Sequence, residues 1–203
     1  MEGEKILYII GLTGGISCGK SAVAESLKRY CKAITLDIDT VTHWLSEPGG
    51  LLFDIYVRHF GEKILTEAGF LNKKAIGEII FNNPAEREWI NSVAHPILLN
   101  HARDFLVDCQ ESGAGLVVLE VPLLFEAGWE HLFDEIWAVY TLRKLQIQRL
   151  MSRDKLTKEE ALARINAQMS REERCARADV VIRNVKSYEA RKQIRAALNG
   201  RIF

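Results

Sequence analysis

The stretch Gly14-Gly15-Ile16-Ser17-Cys18-Gly19-Lys20-Ser21 decides how this chain is read. It matches G-x-x-x-x-G-K-[ST], the Walker A pattern, in which the backbone N–H groups of a tight glycine-rich turn converge on a polyphosphate. Glycine permits the backbone angles and the close approach such a turn needs. The flanking sequence supplies the required context. Residues 6–12 are an apolar run, which predicts a buried parallel strand. Residues 20–30 carry Val23, Ala24 and Leu27 on one face, which predicts a helix whose positive N-terminal end adds to the field on the anion. Gly14, Gly15, Ser17, Cys18, Gly19, Lys20, Ser21 and Ala22 form the expected phosphate-binding set. Lys20 is expected to bridge the β and γ phosphates of ATP, and the Ser21 hydroxyl to ligate Mg²⁺.

Working outward, apolar runs at 33–36, 116–121, 136–140 and 180–182 predict four further strands. Helical patterns lie between them. Strands alternating with helices imply an α/β architecture of three layers, a parallel sheet covered on both faces. Residues 41–110 break this rhythm. Apolar residues recur there at helical spacing over 51–60, 76–81, 89–93 and 97–107, with Pro48-Gly49-Gly50, Gly61 and Asn82-Asn83-Pro84 as punctuation. An all-helical insertion is expected, suited to holding a phosphate acceptor. A second helical region covers 142–178. In it Thr157 with Glu160, and Ser170 with Glu173, match the capping-box pattern and predict helix starts near Lys158 and Arg171.

The bulk numbers exclude several classes. Of 203 residues, 48% are hydrophobic and 27% charged, as in an ordinary globular chain with a sizeable core. Twenty-seven Lys and Arg balance 27 Asp and Glu, so the basic excess of a nucleic-acid binder is missing. The N-terminal residues have an acidic start and a short apolar run, unlike a secretory signal, and the apolar runs are far too short to span a bilayer. A cytoplasmic protein with no membrane partner is expected. Cys18, Cys31, Cys109 and Cys175 show no C-x-x-C or metal-site spacing and read as reduced thiols.

Candidate chemistry clusters at the predicted strand ends, where open parallel sheets bind ligands. Asp37 and Asp39 follow the second strand. Two apart, they share a face if the segment is extended, and either suits a base that accepts a proton from an acceptor hydroxyl. Asp39 also reads as an N-cap of the next helix. Glu120 ends the third strand, the position of an acid supporting Mg²⁺ through its water shell. Arg149 and Arg153 are one helical turn apart and share a face, which suits clamping phosphate. The other arginines of 142–178 read as a solvated face alternating with acids. Cys18 has two readings: a thiol whose pKa the helix N-terminus lowers, or a small residue tolerated in the loop. Trp44, Trp89, Trp129 and Trp137 read chiefly as core or interface.

Several segments together resemble the dephospho-coenzyme A kinase family. They are Gly11-Leu12-Thr13-Gly14-Gly15-Ile16 into Gly19-Lys20-Ser21, Asp37-Ile38-Asp39, His95-Pro96, Val121-Pro122-Leu123-Leu124-Phe125-Glu126 with Gly128-Trp129, Gln148-Arg149-Leu150-Met151 with Arg153-Asp154, Gln168-Met169-Ser170, and Ala178-Asp179-Val180-Val181-Ile182 with Asn184. They run in family order over nearly the whole chain. The resemblance implies ATP-dependent phosphorylation of the ribose 3′-hydroxyl of dephospho-coenzyme A, the last step of coenzyme A synthesis. It implies one P-loop kinase domain: a nucleotide-binding core at 1–40, 114–141 and 179–203, a helical acceptor subdomain at 41–113, and a lid at 142–178. Asp39 becomes the catalytic base, Arg149 and Arg153 lid arginines facing phosphate, and Asn184 part of the nucleotide-side loop. Asp37, His95, Leu124 and Trp129 are implied on the acceptor side. The chain departs from the family pattern at Ser17-Cys18 for Gly-Ser, Ala22 for Thr and Glu120 for Asp. The competing readings are a P-loop kinase for another nucleoside or nucleotide, and a nucleotide switch, which would carry an Asn-Lys-x-Asp base-reading motif that is missing here. A monomer or small homo-oligomer is expected.

Overall fold

Parallel strands buried on both faces need continuous apolar runs rather than alternation, and five such runs form strands among the described residues. The computed structural model describes residues 7–198. Its strands are β1 (Tyr8–Gly14), β2 (Ile34–Asp37), β3 (Leu116–Glu120), β4 (Glu135–Tyr140) and β5 (Val180–Arg183). The predicted first strand began at Ile6, which lies outside the described residues, as do the ends of the predicted nucleotide-binding core at 1–6 and 199–203. Within the sheet every pairing among the described residues is parallel, and the order is β2-β3-β1-β4-β5. β1 sits in the middle, where the chain's winding reverses direction, so the loop after it opens at the crevice where such sheets bind ligands. All five residues of β3 are buried.

The chain divides into two compact units, Met1–Asp37 with Leu106–Phe203 as one and Ile38–Phe105 as the other. In the first, α1 (Lys20–Cys31) buries Val23, Ala24 and Leu27. They join a core with Ile10, Leu12, Val118, Trp137, Val139 and Ile182, closed by Ile194 of α9 (Ser187–Leu198). Trp137 is fully buried, and its indole N–H donates to the Glu135 carboxylate at 2.8 Å. The segment 142–178 folds as α6 (Arg143–Asp154), α7 (Lys158–Asn166) and α8 (Arg171–Arg177). The Thr157–Glu160 capping box is complete, with Thr157 N–H donating to the Glu160 carboxylate at 2.8 Å and Glu160 N–H to the Thr157 hydroxyl at 3.2 Å. At Ser170 the hydroxyl accepts from Glu173 N–H at 3.1 Å.

The second unit is helical: α2 (Ile38–Leu45), α3 (Leu51–Phe60), α4 (Lys73–Asn82) and the first part of α5 (Pro84–Glu111), with a 3-10 turn at Glu62–Ile64. Leu52, Tyr56, Phe60, Ile64, Ala94, Leu98 and Ala102 are buried in it. His59 stacks on Trp89 with ring centroids 3.5 Å apart and bonds the Glu86 carboxylate at 2.7 Å. A single antiparallel bridge, Leu65 to Leu71, is the strand-like pairing among the described residues of this unit. The helical patterns predicted at 89–93 and 97–107 belong to one helix, α5, which runs through Pro96. Proline removes one N–H from the ladder and bends a helix without having to end it. The expected insertion at 41–113 compares with a unit of 38–105, because Leu106 onward groups with the sheet. Among the described residues no helix is long and apolar enough to cross a membrane.

Candidate active site

The loop between β1 and α1 is shaped by two left-handed residues. Gly19 takes φ 90° as the N-cap of α1, and a Cβ there would lie 2.1 Å from Asn184 Nδ2. Only glycine meets both conditions. Ser17 takes φ 56°, a conformation that glycine adopts more cheaply, and its Oγ is buried with no hydrogen-bond partner among the described residues. The Lys20 ammonium reaches back across the loop and donates to Gly14 O at 3.0 Å. Ser21 and Ala22 are exposed on the first turn of α1.

Cys18 is buried, and burial pushes its thiol pKa up even though the Lys20 and Arg174 charges pull it down. Of the two readings of Cys18, this favours the small residue tolerated in the loop over the activated thiolate, because desolvation outweighs the nearby positive charge.

Asn184, at the end of β5, braces the loop. Its Nδ2 donates to Cys18 O at 3.0 Å and Gly19 O at 3.2 Å. Arg149 lies alongside, with Nη1 donating at 3.5 Å to Cys18 O and to Asn184 O. Arg153 is directed elsewhere: its Nε donates to Asp154 Oδ1 at 2.6 Å and its side chain is exposed. The shared face expected for the two arginines does not bring both guanidiniums to the loop, since a neighbouring carboxylate captures the second.

Two glutamines that sequence reasoning left without a role hold the loop's apex. Ile16 N–H donates to Gln168 Oε1 at 2.8 Å, and Gln146 Nε2 donates to Ile16 O at 2.8 Å. The Ile16 side chain packs on the small core of 142–178 formed by Leu150, Ala161 and Ile165. Gln168 carried a signal, since it stands in the Gln168-Met169-Ser170 segment. Gln146 carried none, being one polar residue on an exposed-looking helix face. Arg174, taken with the solvated arginines, is buried at 4% exposure. Its Nη2 donates to Met169 O at 3.0 Å.

Asp37 and Glu120 are register partners at the carboxyl ends of β2 and β3. Neighbouring strands lie about 4.8 Å apart, so the two acids stand side by side on one face. Asp39 belongs to the first turn of α2, not to its cap, and is exposed. The chain turns from strand to helix between Asp37 and Ile38, so the period-two argument that put both aspartates on one face does not apply. His95 is half-buried in α5, and burial lowers its imidazole pKa. Leu124 and Trp129, expected along the acceptor's path, are buried at 0% and 3% exposure. Leu124 packs against β1, where its Cδ1 would sit 2.8 Å from a Cβ at Gly11.

The arrangement suits phosphoryl transfer: a glycine turn at a helix N-terminus, a lysine across it, an arginine at its rim and paired acids at adjacent strand ends. Comparison with known proteins agrees. The family model "CoaE: Dephospho-CoA kinase" matches residues 8–189. A dephospho-CoA kinase of Carboxydothermus hydrogenoformans is 42% identical over 188 residues, covering 93% of this chain and 91% of its own. Among solved structures, TT1252 from Thermus thermophilus superposes with a TM-score of 0.82 at 33% identity, covering 96% of this chain and 97% of that one. The dephospho-CoA kinase from Campylobacter jejuni gives a TM-score of 0.66 at 28% identity, covering 95% and 96%.

Proposed function

Because the chain belongs to the dephospho-CoA kinase family, we infer that it phosphorylates the ribose 3′-hydroxyl of dephospho-coenzyme A with ATP as donor, the last step of coenzyme A biosynthesis. The observation that carries this reading is the phosphate loop itself, with Lys20 held across it to Gly14 O at 3.0 Å.

The roles follow from the chemistry. Phosphoryl transfer needs little covalent help from the protein, so catalysis rests on positioning and on charge aimed at the moving group. Backbone N–H groups of 14–21 and the N-terminal end of α1 bind the donor's phosphates. Lys20 holds the β and γ phosphates, and Arg149 adds a second charge from α6. Asn184 keeps the loop in shape by occupying two of its carbonyls. Asp39 is the base that orients the acceptor hydroxyl and takes its proton, while His95 contacts the acceptor. The segment 142–178 acts as a lid, excluding the water that would otherwise compete as acceptor. Arg153 joins the phosphates only on leaving Asp154.

The donor set near the loop fits Mg²⁺, a hard cation that takes oxygen ligands and usually few from protein. Ser21 would hold it directly, with Glu120 and Asp37 oriented through its waters. When bound, the ion neutralises charge on the phosphates. Glu120 is one methylene longer than the family's Asp, and its burial at 7% exposure limits how far it can swing.

The test is a coupled assay of ADP release. The purified protein should release ADP with dephospho-coenzyme A and not with nucleoside monophosphates, and phosphorus NMR should find the new monoester on the 3′ oxygen. Turnover on a nucleoside monophosphate alone would replace this reading with a different acceptor.

A further inference from the structure

A cavity of about 390 Å³ opens beside the phosphate loop in the sheet-containing unit, and three arginines line it. Arg143, Arg171 and Arg174 stand around it with Gly15, Gln146 and Gln168. Arg174 differs from the other two. Its side chain is 5% exposed, whereas that of Arg171 is 50% exposed.

A guanidinium has five N–H donors and always carries its charge. Burying one is unfavourable unless its charge and donors are met. Arg174 is poorly met. Nη2 donates to Met169 O at 3.0 Å, and its nearest carboxylate, Glu126 Oε1, lies 3.7 Å away, beyond hydrogen-bond distance. Nε is buried with no hydrogen-bond partner among the described residues. The side chain points toward the loop: Nη1 lies 3.5 Å from where a Cβ on Gly15 would be. A side chain at Gly15 would also meet Gln146 Nε2 at 2.9 Å, so this glycine keeps the approach open.

A buried, under-compensated cation against the first turn of a phosphate loop calls for an anion. Resting on the kinase reading above, we propose that Arg174 is a further catalytic residue, a cation from α8 that contacts the transferring phosphoryl group of the donor at the Gly15 end of the loop. Arg149 approaches from the Asn184 side, so Arg174 supplies charge from the other end of the loop, where the Lys20 ammonium also reaches Gly14 O. The Arg174 contact is made to the terminal phosphate, because Gly15 lies at the start of the loop, whereas Gly19-Lys20-Ser21 cradle the phosphates nearer the helix. Glu126, which also accepts from Met169 N–H at 3.3 Å, sets the guanidinium's direction without saturating it. The same phosphate-ester chemistry occurs in the acceptor's diphosphate, and the experiment separates the two.

The test compares the full-length protein with Arg174→Gln, which removes the charge, and Arg174→Lys, which keeps it as a point charge. Three quantities are read: kcat with dephospho-coenzyme A, affinities for ADP, a non-hydrolysable ATP analogue and dephospho-coenzyme A, and melting temperature. Arg174→Gln should lower kcat by about 10²-fold or more, as for loss of other charge contacts to a transition state. It should reduce the preference for the ATP analogue over ADP while leaving ADP affinity within about threefold, and Arg174→Lys should recover part of kcat. A fall in melting temperature with kcat unchanged would overturn the proposal and leave Arg174 as a tether between α8 and the loop after β3. Weakened dephospho-coenzyme A binding with intact nucleotide selectivity would overturn it in favour of the acceptor. If Arg174→Gln does not fold, Arg174→Met, which fills the buried site without charge, is read in the same way: wild-type kcat and nucleotide preference in that variant would overturn the proposal. Failure of the parent protein to use dephospho-coenzyme A would sink the acceptor assignment instead, and the ATP-over-ADP comparison would still test Arg174.

Discussion

The side-chain amide of Asn184 donates to the carbonyl of Cys18 at 3.0 Å, tying the end of β5 to the phosphate loop. A second bond from the same nitrogen to Gly19 O, at 3.2 Å, identifies which side-chain atom is nitrogen, since both partners are acceptors. Asn184→Ala leaves two loop carbonyls without this donor, and one buried unsatisfied group costs about 1–3 kcal/mol. The variant should melt lower by several degrees, at about 2–4 °C per kcal/mol for a chain of this size. Its KM for ATP should rise more than its kcat falls, because the loop that binds phosphate in both ground and transition states loses its brace. Unchanged KM and melting temperature would show the bond to be idle.

Ser17 should be improved by Ser17→Gly. A left-handed L-residue costs about 1–2 kcal/mol, and the unpartnered buried Oγ adds to that. Glycine gives back about 0.4–1 kcal/mol through the freer unfolded chain. The net expectation is a gain of about 1 kcal/mol, read from the urea midpoint at constant m. A variant less stable than the parent would mean that the hydroxyl has a partner that matters.

The two arginines of α6 should separate. Arg149→Ala should lower kcat/KM by about 10²-fold or more, because its guanidinium already stands at Cys18 O and Asn184 O. Arg153→Ala should cost less, since its guanidinium bonds Asp154 and must first be released. Steady-state kinetics of both variants decide this, and an equal loss would mean that the Asp154 pairing breaks at no cost in turnover.

Asp39→Asn should reduce kcat by about 10²–10⁴-fold, as for loss of a general base, with ATP-analogue binding retained. Asp37→Asn should instead raise the Mg²⁺ concentration needed for half-maximal rate, since Asp37 stands beside Glu120 at the strand ends. A crippled Asp37→Asn at saturating Mg²⁺ with an active Asp39→Asn would exchange the two roles.

His95 makes stability depend on pH in a defined direction. Burial lowers its folded pKa below the ordinary 6.5. Between those two values the unfolded chain binds more protons, so stability falls as pH drops from about 6.5 toward the folded pKa and levels off below it. His95→Gln should flatten that part of the curve of unfolding midpoint against pH. An identical slope in the variant would assign the acid sensitivity to other groups.

Much of this protein was legible before any coordinates. The five strands, the helix after the loop and the complete Thr157–Glu160 cap rest on neighbours in sequence, where periodicity, glycine and hydroxyl-to-backbone bonding act over a few residues. The loop pattern and its family segments named the chemistry for the same reason: a run of backbone N–H groups is local. What only the tertiary structure decided is which distant side chains meet that loop. Gln146 and Gln168 close on Ile16 from positions 130 and 152 residues away. Arg153 turns to Asp154 while Arg149 reaches the loop, and Arg174 is buried where composition suggested a solvated face. Leu124 and Trp129 go into the core despite standing in a family segment. Each outcome turns on whether a polar or apolar group loses its water and what replaces it. That balance depends on packing between elements far apart in the chain, which local pattern does not encode.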